Sequence, residues 1–352
     1  MSGSGTVDVD GSYGEGGGQI LRTAVAFSVI LGKSVRVFKI RAGREVPGLR
    51  QQHVSTLQTL SKIFGADLRG AEVGSSEIRF APGRLGESSV AVDMKTAASI
   101  TLLLQAVIPA VALTRSRVSL DIIGGTDVPW SPTFDYFSGP VGRAYGLLGI
   151  EFEAAASKRG YYPRGGGRVT AEVKPAAALR AVRLERGVGP ARADLVSRCG
   201  HLPRHVAERQ MEAMVRVLSA SGVEVGSRTL SEEGADSPGS SVLASVTNAG
   251  RLLGVDALGA RGRSAEDVGE EAAQGLAASL RSGASVDSNL ADMIAPLLSL
   301  ADGESSLFVP EVSLHLKTGL HVARLFTKCD FSYVQEGGAY VVTVTPVSGH
   351  NA

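Results

Sequence analysis

Cysteine is nearly absent: Cys199 and Cys329 are the only two in 352 residues, with no second cysteine near either. That excludes a disulfide framework and a cysteine-ligated zinc site, and it fits reduced thiols in a cytoplasmic protein. Long apolar runs are missing too, and no stretch reaches the ~18 consecutive apolar residues of a membrane-spanning helix. The opening Met1 to Gly5 has none of the basic, apolar or cleavage regions of a signal peptide and reads as a flexible lead-in. Neither sign of charge is in excess, with 36 Lys and Arg against 35 Asp and Glu and a formal net charge of +1. A protein that coats nucleic acid without regard to sequence carries a large basic surplus. Near-neutrality therefore directs any such contact to local arginine clusters around one phosphate-bearing end. Hydrophobic residues make up 43%, ample for a core. The length predicts two domains, or one large domain with an insertion.

Glycine is plentiful (44 residues) but dispersed, which predicts many tight turns instead of a low-complexity tail. The hydrophobic pattern has a rhythm. A helix over 20–32 precedes an extended run at 34–40, a polar irregular segment at 41–52, a helix over 53–65, and strands ending near 80–83. The order recurs with a helix over 99–114, a strand at 117–123, a Gly/Pro segment at 124–132, a helix over 133–149, and strands near 151–156 and 168–175. A third round has a helix over 290–301, a strand at 305–309, an extended polar segment at 313–318, a helix over 319–327, and strands at 331–334 and 339–345. This predicts an α+β fold of three repeated βαβαββ-type units, each a small sheet covered on one side by two helices. Packing about a pseudo-threefold axis would bring the polar segments to one site. Residues 184–279 break the rhythm with helices over 205–220 and 265–279, strands at 241–247 and 252–258, and a polar loop at 231–240 that reads as solvated and mobile. The expected division is a large catalytic domain of 1–183 and 280–352, with 184–279 an inserted α+β domain.

Five segments carry polar chemistry. Gly14 to Gln19 is glycine-rich and ends where a helix begins, so its amides suit phosphate; it matches neither a P-loop nor a dinucleotide fingerprint. Glu15 among such amides calls for an accompanying metal ion. Arg41, Arg44 and Arg50 fall in a segment held open by Gly43, Pro47 and Gly48, and Arg22 stands one turn into the first helix; all suit bidentate phosphate binding. His53 starts the second helix, where capping or exposure is the plainer role. Gly124 to Pro132 holds the only tryptophan, Trp130, either a stacking surface or a core filler. Arg159 to Gly167 interleaves Arg, Tyr and Gly between two strands, which suits stacking on bases or forms a plain hairpin turn. In the extended reading of 313–318, His315 and Lys317 share one side and Leu314 and Leu316 the other. An imidazole beside a cation can attack phosphorus. His321, six residues on, is poorly spaced to share a metal with it.

Taken together, these motifs resemble the RNA 3′-terminal phosphate cyclases. The likeness runs from Asp10 to Pro346 through Glu15 to Arg22, Ile40 to Arg44, Pro47 to Leu49, Gln52 with His53, Gly124 to Asp127, Gly160 to Pro163, Gly165 to Gly167, Pro203 to Arg209, and His315 with Thr318. The resemblance implies three repeats like the C-terminal domain of translation initiation factor three, plus one insert. It implies attack of His315 on the α-phosphorus of ATP, transfer of AMP to an RNA 3′-terminal phosphate, and closure by the 2′-hydroxyl to a 2′,3′-cyclic phosphate. By position, Glu15 meets the metal (Mg²⁺ or Mn²⁺) or nucleotide. Arg22, Arg41 and Arg44 hold phosphates, His53 assists, and Gln105, Pro132, Asp292 and Met293 contact the nucleotide. The chain departs from many bacterial members at Asn289 and Met293, where an aromatic ring and an amide are replaced. The pattern leaves open whether Arg41 and Arg44 grip RNA or ATP, and whether the enzyme is a monomer or dimer. Two rivals stand beside it: non-catalytic cyclase-like proteins of ribosome assembly, which lack the nucleophilic histidine, and enolpyruvyl transferases, which share an architectural theme.

Overall fold

A computed structural model describes residues 5–248 and 250–347. The first third of the chain forms β1 (Val7–Asp10), α1 (Gly18–Leu31), β2 (Val35–Phe38), α2 (Gln51–Phe64), β3 (Asp67–Arg69) and β4 (Ile78–Ala81). Next come β5 (Ser89–Asp93), α3 (Ile100–Leu113), β6 (Val118–Gly124), α4 (Phe134–Tyr136), a π-helical stretch (Phe137–Val141), α5 (Gly142–Leu148), β7 (Phe152–Lys158) and β8 (Gly167–Val173). The two-residue β9 (Arg183–Leu184) leads to β10 (Arg192–Gly200), α6 (His205–Ala220), β11 (Glu224–Glu233), β12 (Gly239–Val246), β13 (Leu253–Leu258) and α7 (Ala265–Ser282). The chain ends in α8 (Ser288–Leu298), β14 (Ser305–Val309), α9 (Leu314–Thr327), β15 (Asp330–Glu336) and β16 (Ala339–Thr345).

The described residues form four mixed four-stranded sheets, three of which have one topology: β1-β2-β4-β3, β5-β6-β8-β7 and β9-β14-β16-β15. In each, the first pair is parallel and the other two are antiparallel. The opening strands β1, β5 and β9 precede the helices that begin the rhythm in sequence. β9 pairs with β14 across the intervening fourth-sheet segment, so Leu184, where the rhythm was expected to break, still belongs to the third sheet. The fourth sheet, β11-β10-β12-β13, has its own apolar cluster under α6 and α7, including Leu195, Met214, Val242 and Leu276.

Helices α1, α3 and α8 lie side by side in the same direction. Arg22, Gln105 and Asp292, each just over one turn into its helix, line one cleft together with Ala26, Pro109 and Pro296, one turn further along. Their far ends meet at a second cavity bounded by Leu31, Leu113 and Leu300. Burial of nearly every α3 side chain suits a helix packed on several sides, unlike the one-sided stripes of α2 and α6.

Two local expectations fail and a third is met with an irregularity. The segment 313–318 is not extended: Ser313 caps α9, its Oγ accepting from Leu316 N at 2.9 Å, and Leu316, Leu320 and Ala323 are buried at helical spacing. Two leucines two residues apart imitate strand alternation, but the helical period continuing beyond them decides. The stretch 231–240 is not a solvated loop. β11 runs to Glu233 against β10, and Ser237 and Ser240 are buried. The helix expected over 133–149 is present as one continuous run from Phe134 to Leu148 through α4, the π stretch and α5, with Pro140 inside the π stretch where an ordinary α-helical hydrogen bond is lost.

Candidate active site

The glycine-rich segment ahead of α1 lies against the first turns of α9. Gly14 has φ +60°, and a Cβ there would fall 2.1 Å from Thr318 Oγ1. The same hydroxyl accepts from Glu15 N at 3.1 Å and donates to Leu314 O at 2.7 Å. One turn further, Tyr13 stacks on His321 with ring centroids 3.7 Å apart. Residues 315, 318 and 321 thus form one helix face that clamps the segment. His321 packs on a ring, as its spacing from His315 already excludes a shared metal site.

His315 Nδ1 lies 2.7 Å from Gln19 Oε1. The orientation of the amide follows from its other end: Gln19 Nε2 donates to the Asp292 carbonyl at 3.2 Å, and a carbonyl only accepts. Gln19 Oε1 therefore faces the imidazole and accepts from Nδ1–H, the tautomer in which Nε2 holds the lone pair. Asp292 also accepts from Ser313 Oγ at 2.5 Å, so α8 holds the cap of the helix that bears His315. Burial pushes the Asp292 carboxyl up to about 7, opposed in part by Ser313. Sequence reasoning gives Gln19 no role; its signal is an amide buried in the first turn of an otherwise apolar helix.

Glu15 tucks back over Gly17, and its side chain is only 6% exposed. Arg44 Nη2 donates to Glu15 Oε2 at 2.6 Å and to its carbonyl at 2.8 Å, while Oε1 is buried without a partner. Arg41 has φ +55° and donates to the Val46 and Gly48 carbonyls, at 2.9 and 3.2 Å. Burial, then the neighbouring Arg50 and Arg44, lowers its pKa. Arg22 is lowered to about 10 by burial, opposed by Glu15, and its Nε is buried without a partner. His53 accepts from Arg50 N through Nδ1 at 2.9 Å, which leaves the proton on Nε2. Burial and the charges of Arg22, Arg41 and Arg50 depress its pKa to about 3, so it is neutral and not a cation. A Cβ on Gly18 would meet both His53 Nε2 (2.5 Å) and Arg22 Nη1 (2.9 Å), so these two groups converge over a bare backbone.

Gln19, Arg22, Gln105, Asp292 and Met293 share the cleft of about 30 Å³ between α1, α3 and α8. Gln105 Oε1 is buried without a partner there. Pro132 is not among the cleft's lining residues; it is buried beside the start of α3, its carbonyl accepting from Thr101 Oγ1 at 2.8 Å. In the Arg–aromatic–Gly loop, Arg159 departs from expectation. Arg159 is 3% exposed and pairs with Asp127 (3.2 Å), Asp135 (3.1 Å) and Glu233 (3.0 Å), so it joins the second sheet to the fourth instead of facing a ligand.

Two groups fit what the site lacks. Among the described residues no three His, Cys, Asp or Glu side chains gather as a metal cage. A divalent ion would take Glu15 Oε1 and complete its shell with phosphate oxygens and water, as Mg²⁺ commonly does. The unpartnered Arg22 Nε and Gln105 Oε1 offer a donor and an acceptor to a nucleotide. Three helix N-termini and four arginines favour anions at this end.

The family model described as RNA 3′-terminal phosphate cyclase matches residues 13–333. A protein named RNA 3′-terminal phosphate cyclase from Pyrobaculum aerophilum is 38% identical over 346 residues, covering 98% of this chain and 99% of the relative. Proteins of the same name from Pyrococcus abyssi and Thermococcus kodakarensis are each 44% identical; each covers 91% of this chain, with 93% and 92% of the relative covered. An EPSP synthase from Acinetobacter baumannii aligns at 11% identity over 97% of this chain and 63% of its own, with a TM-score of 0.30, too low to bear on the fold. From the glycine-rich segment through α9, the chain belongs to the RNA 3′-terminal phosphate cyclase family.

Proposed function

We propose that the chain converts an RNA 3′-phosphate to a 2′,3′-cyclic phosphate with consumption of ATP, and that His315 is the nucleophile. The observation that carries this reading is the Gln19–His315 hydrogen bond, which leaves Nε2 with a free lone pair at the arginine-rich end of three parallel helices. A phosphate monoester has no good leaving group for cyclisation, so it must first be activated. His315 Nε2 bonds to the α-phosphorus of ATP as the α–β anhydride bond breaks and pyrophosphate leaves. An oxygen of the RNA 3′-phosphate then attacks that phosphorus, and the N–P bond breaks. The RNA 2′-oxygen, losing its proton, attacks the 3′-phosphorus and expels AMP.

Arg22, Arg41 and Arg44 offset phosphate charge in each displacement. His53 donates through Nε2 to a phosphoryl oxygen and stays uncharged. Glu15 Oε1 holds Mg²⁺ or Mn²⁺, which when bound supplies further neutralisation of phosphate charge. Gln105 and Asp292 receive adenosine; Met293, a flexible side chain lining the narrow cleft, is the residue that yields to a purine. On this reading the three like sheets form the catalytic body and the fourth sheet with α6 and α7 is an insert; the shared strand order supports this, with β9 and the length of α7 moving the insert from the expected 184–279 to 185–282.

The test is incubation with α-labelled ATP and Mg²⁺ or Mn²⁺ without RNA. An acid-labile, alkali-stable protein–AMP adduct, absent in His315→Ala, is expected. RNA ending in 3′-phosphate should then be cyclised and RNA ending in 3′-hydroxyl left alone. No adduct with either metal sinks the reading.

A further inference from the structure

The chain's single tryptophan is the most exposed large apolar side chain among the described residues: Trp130 is 98% exposed. It is not a core filler, and its turn is not loose. Ser131 Oγ donates to Val128 O (2.9 Å), Phe134 N to Asp127 Oδ1 (3.3 Å), Thr133 N to Asp256 Oδ2 (2.6 Å), and Thr101 Oγ1 to Pro132 O (2.8 Å). Trp130 itself has φ +67°, a conformation that a bulky residue rarely adopts. A pinned turn thus holds a large aromatic ring in water at a backbone cost, the kind of strain that gathers at functional positions.

The turn lies at the active-site end of the molecule, because Thr101 opens α3 and Gln105, one turn on, lines the cleft. Beside it runs the loop after β7. Thr126 N donates to Gly160 O at 2.9 Å, and Asp127 bridges Tyr161. A Cβ on Gly165 would lie 2.8 Å from the Ala97 Cα, just ahead of α3. This second loop carries Tyr162, 67% exposed, and Arg164, also exposed, whose guanidinium makes no hydrogen bond among the described residues. Two exposed rings and a cation thus share one rim.

We propose that Trp130 and Tyr162, with Arg164, form a stacking platform for unpaired bases of the RNA strand just upstream of its reacting 3′ end. This rests on the function proposed above. Planar rings held in water by rigid turns suit nucleobase faces, which every sequence offers, and the neighbouring arginine suits the phosphates between them. A protein partner is the competing occupant.

Because Trp130 is the only tryptophan, its emission reports this one position. The full-length protein is titrated with 3′-phosphorylated single-stranded RNA of increasing length, and with a nucleoside 3′-phosphate. Quenching is expected for RNA several nucleotides long and not for the mononucleotide. In cyclisation assays Trp130→Ala should raise KM for the longer RNA roughly 10-fold relative to the shortest substrate, with kcat little moved, and Trp130→Phe should recover most of the loss. Tyr162→Ala should act in the same direction. Unchanged emission with long RNA, or equal KM ratios in wild type and Trp130→Ala, overturns the platform and leaves the ring to a protein contact. Loss of protein–AMP formation in the wild type would instead overturn the enzymatic reading, while RNA quenching would still decide the platform.

Discussion

His315 Nδ1 and Gln19 Oε1 are 2.7 Å apart, so a residue in the first turn of α1 sets which imidazole nitrogen carries the proton in a residue 296 positions away. Gln19→Leu removes the acceptor and lets the imidazole take the other tautomer or turn. The rate of label transfer from ATP to protein should fall about 10- to 100-fold, the usual effect of losing a partner that orients a reactive histidine. Gln19→Glu keeps an acceptor and should lose less. Equal rates in wild type and Gln19→Leu would remove Gln19 from the account.

Glu15 Oε1 is buried without a partner while Oε2 holds Arg44. Glu15→Gln should weaken the metal response more than it weakens the fold. The thermal shift produced by Mg²⁺ or Mn²⁺ together with ATP should shrink, with the ligand-free melting temperature moving less. A full metal-dependent shift in the variant would assign the ion elsewhere.

The Asp292 carboxyl sits near 7 in the folded chain, against an ordinary value of 3.8. Between those values the folded state binds more protons than the unfolded one, so this group's contribution to stability falls as pH rises through that window. Asp292→Asn removes the contribution. Melting temperatures measured from pH 4 to 8 should show the variant gaining on wild type as pH rises, and parallel curves would refute the assignment.

Arg159, 3% exposed, answers three carboxylates, of which Asp127 is fully buried. Arg159→Met leaves the buried Asp127 without its cation, while Asp135 and Glu233 keep Arg198, and should cost about 3–5 kcal/mol in denaturant unfolding. Acid should narrow the gap, because protonating the carboxylates removes the orphaned charge. A loss below ~1 kcal/mol would mean that solvent reaches the cluster.

Much of this was legible in the sequence where period and motif coincide. The apolar helices that become α1, α3 and α8 were readable from hydrophobic spacing, as were the strand pairs that follow. Glu15, Arg22, Arg41, Arg44, His53, Gln105, Asp292, Met293 and His315 could be named from motifs, though which of them touch could not. Short polar segments misled. The two leucines around His315 imitate a strand for the few residues before the helical period declares itself. Glu233 looks solvated because its partners, Arg159 and Arg198, are far off in sequence. Gln19 escaped notice because its partners are a histidine and a carbonyl from the far side of the chain.

The clamp of α9 on the glycine-rich segment also sets an order of assembly. A growing chain that has just completed α8 already holds Arg22, Arg41, Arg44, Gln105 and Asp292, but it lacks the imidazole and the Thr318 hydroxyl that seats Glu15. Joining the first and last of the site's elements closes a loop spanning most of the polypeptide, a slow kind of contact to form. An incomplete or C-terminally clipped molecule would therefore lack His315, which on the proposed function is the nucleophile, and should form no protein–AMP adduct.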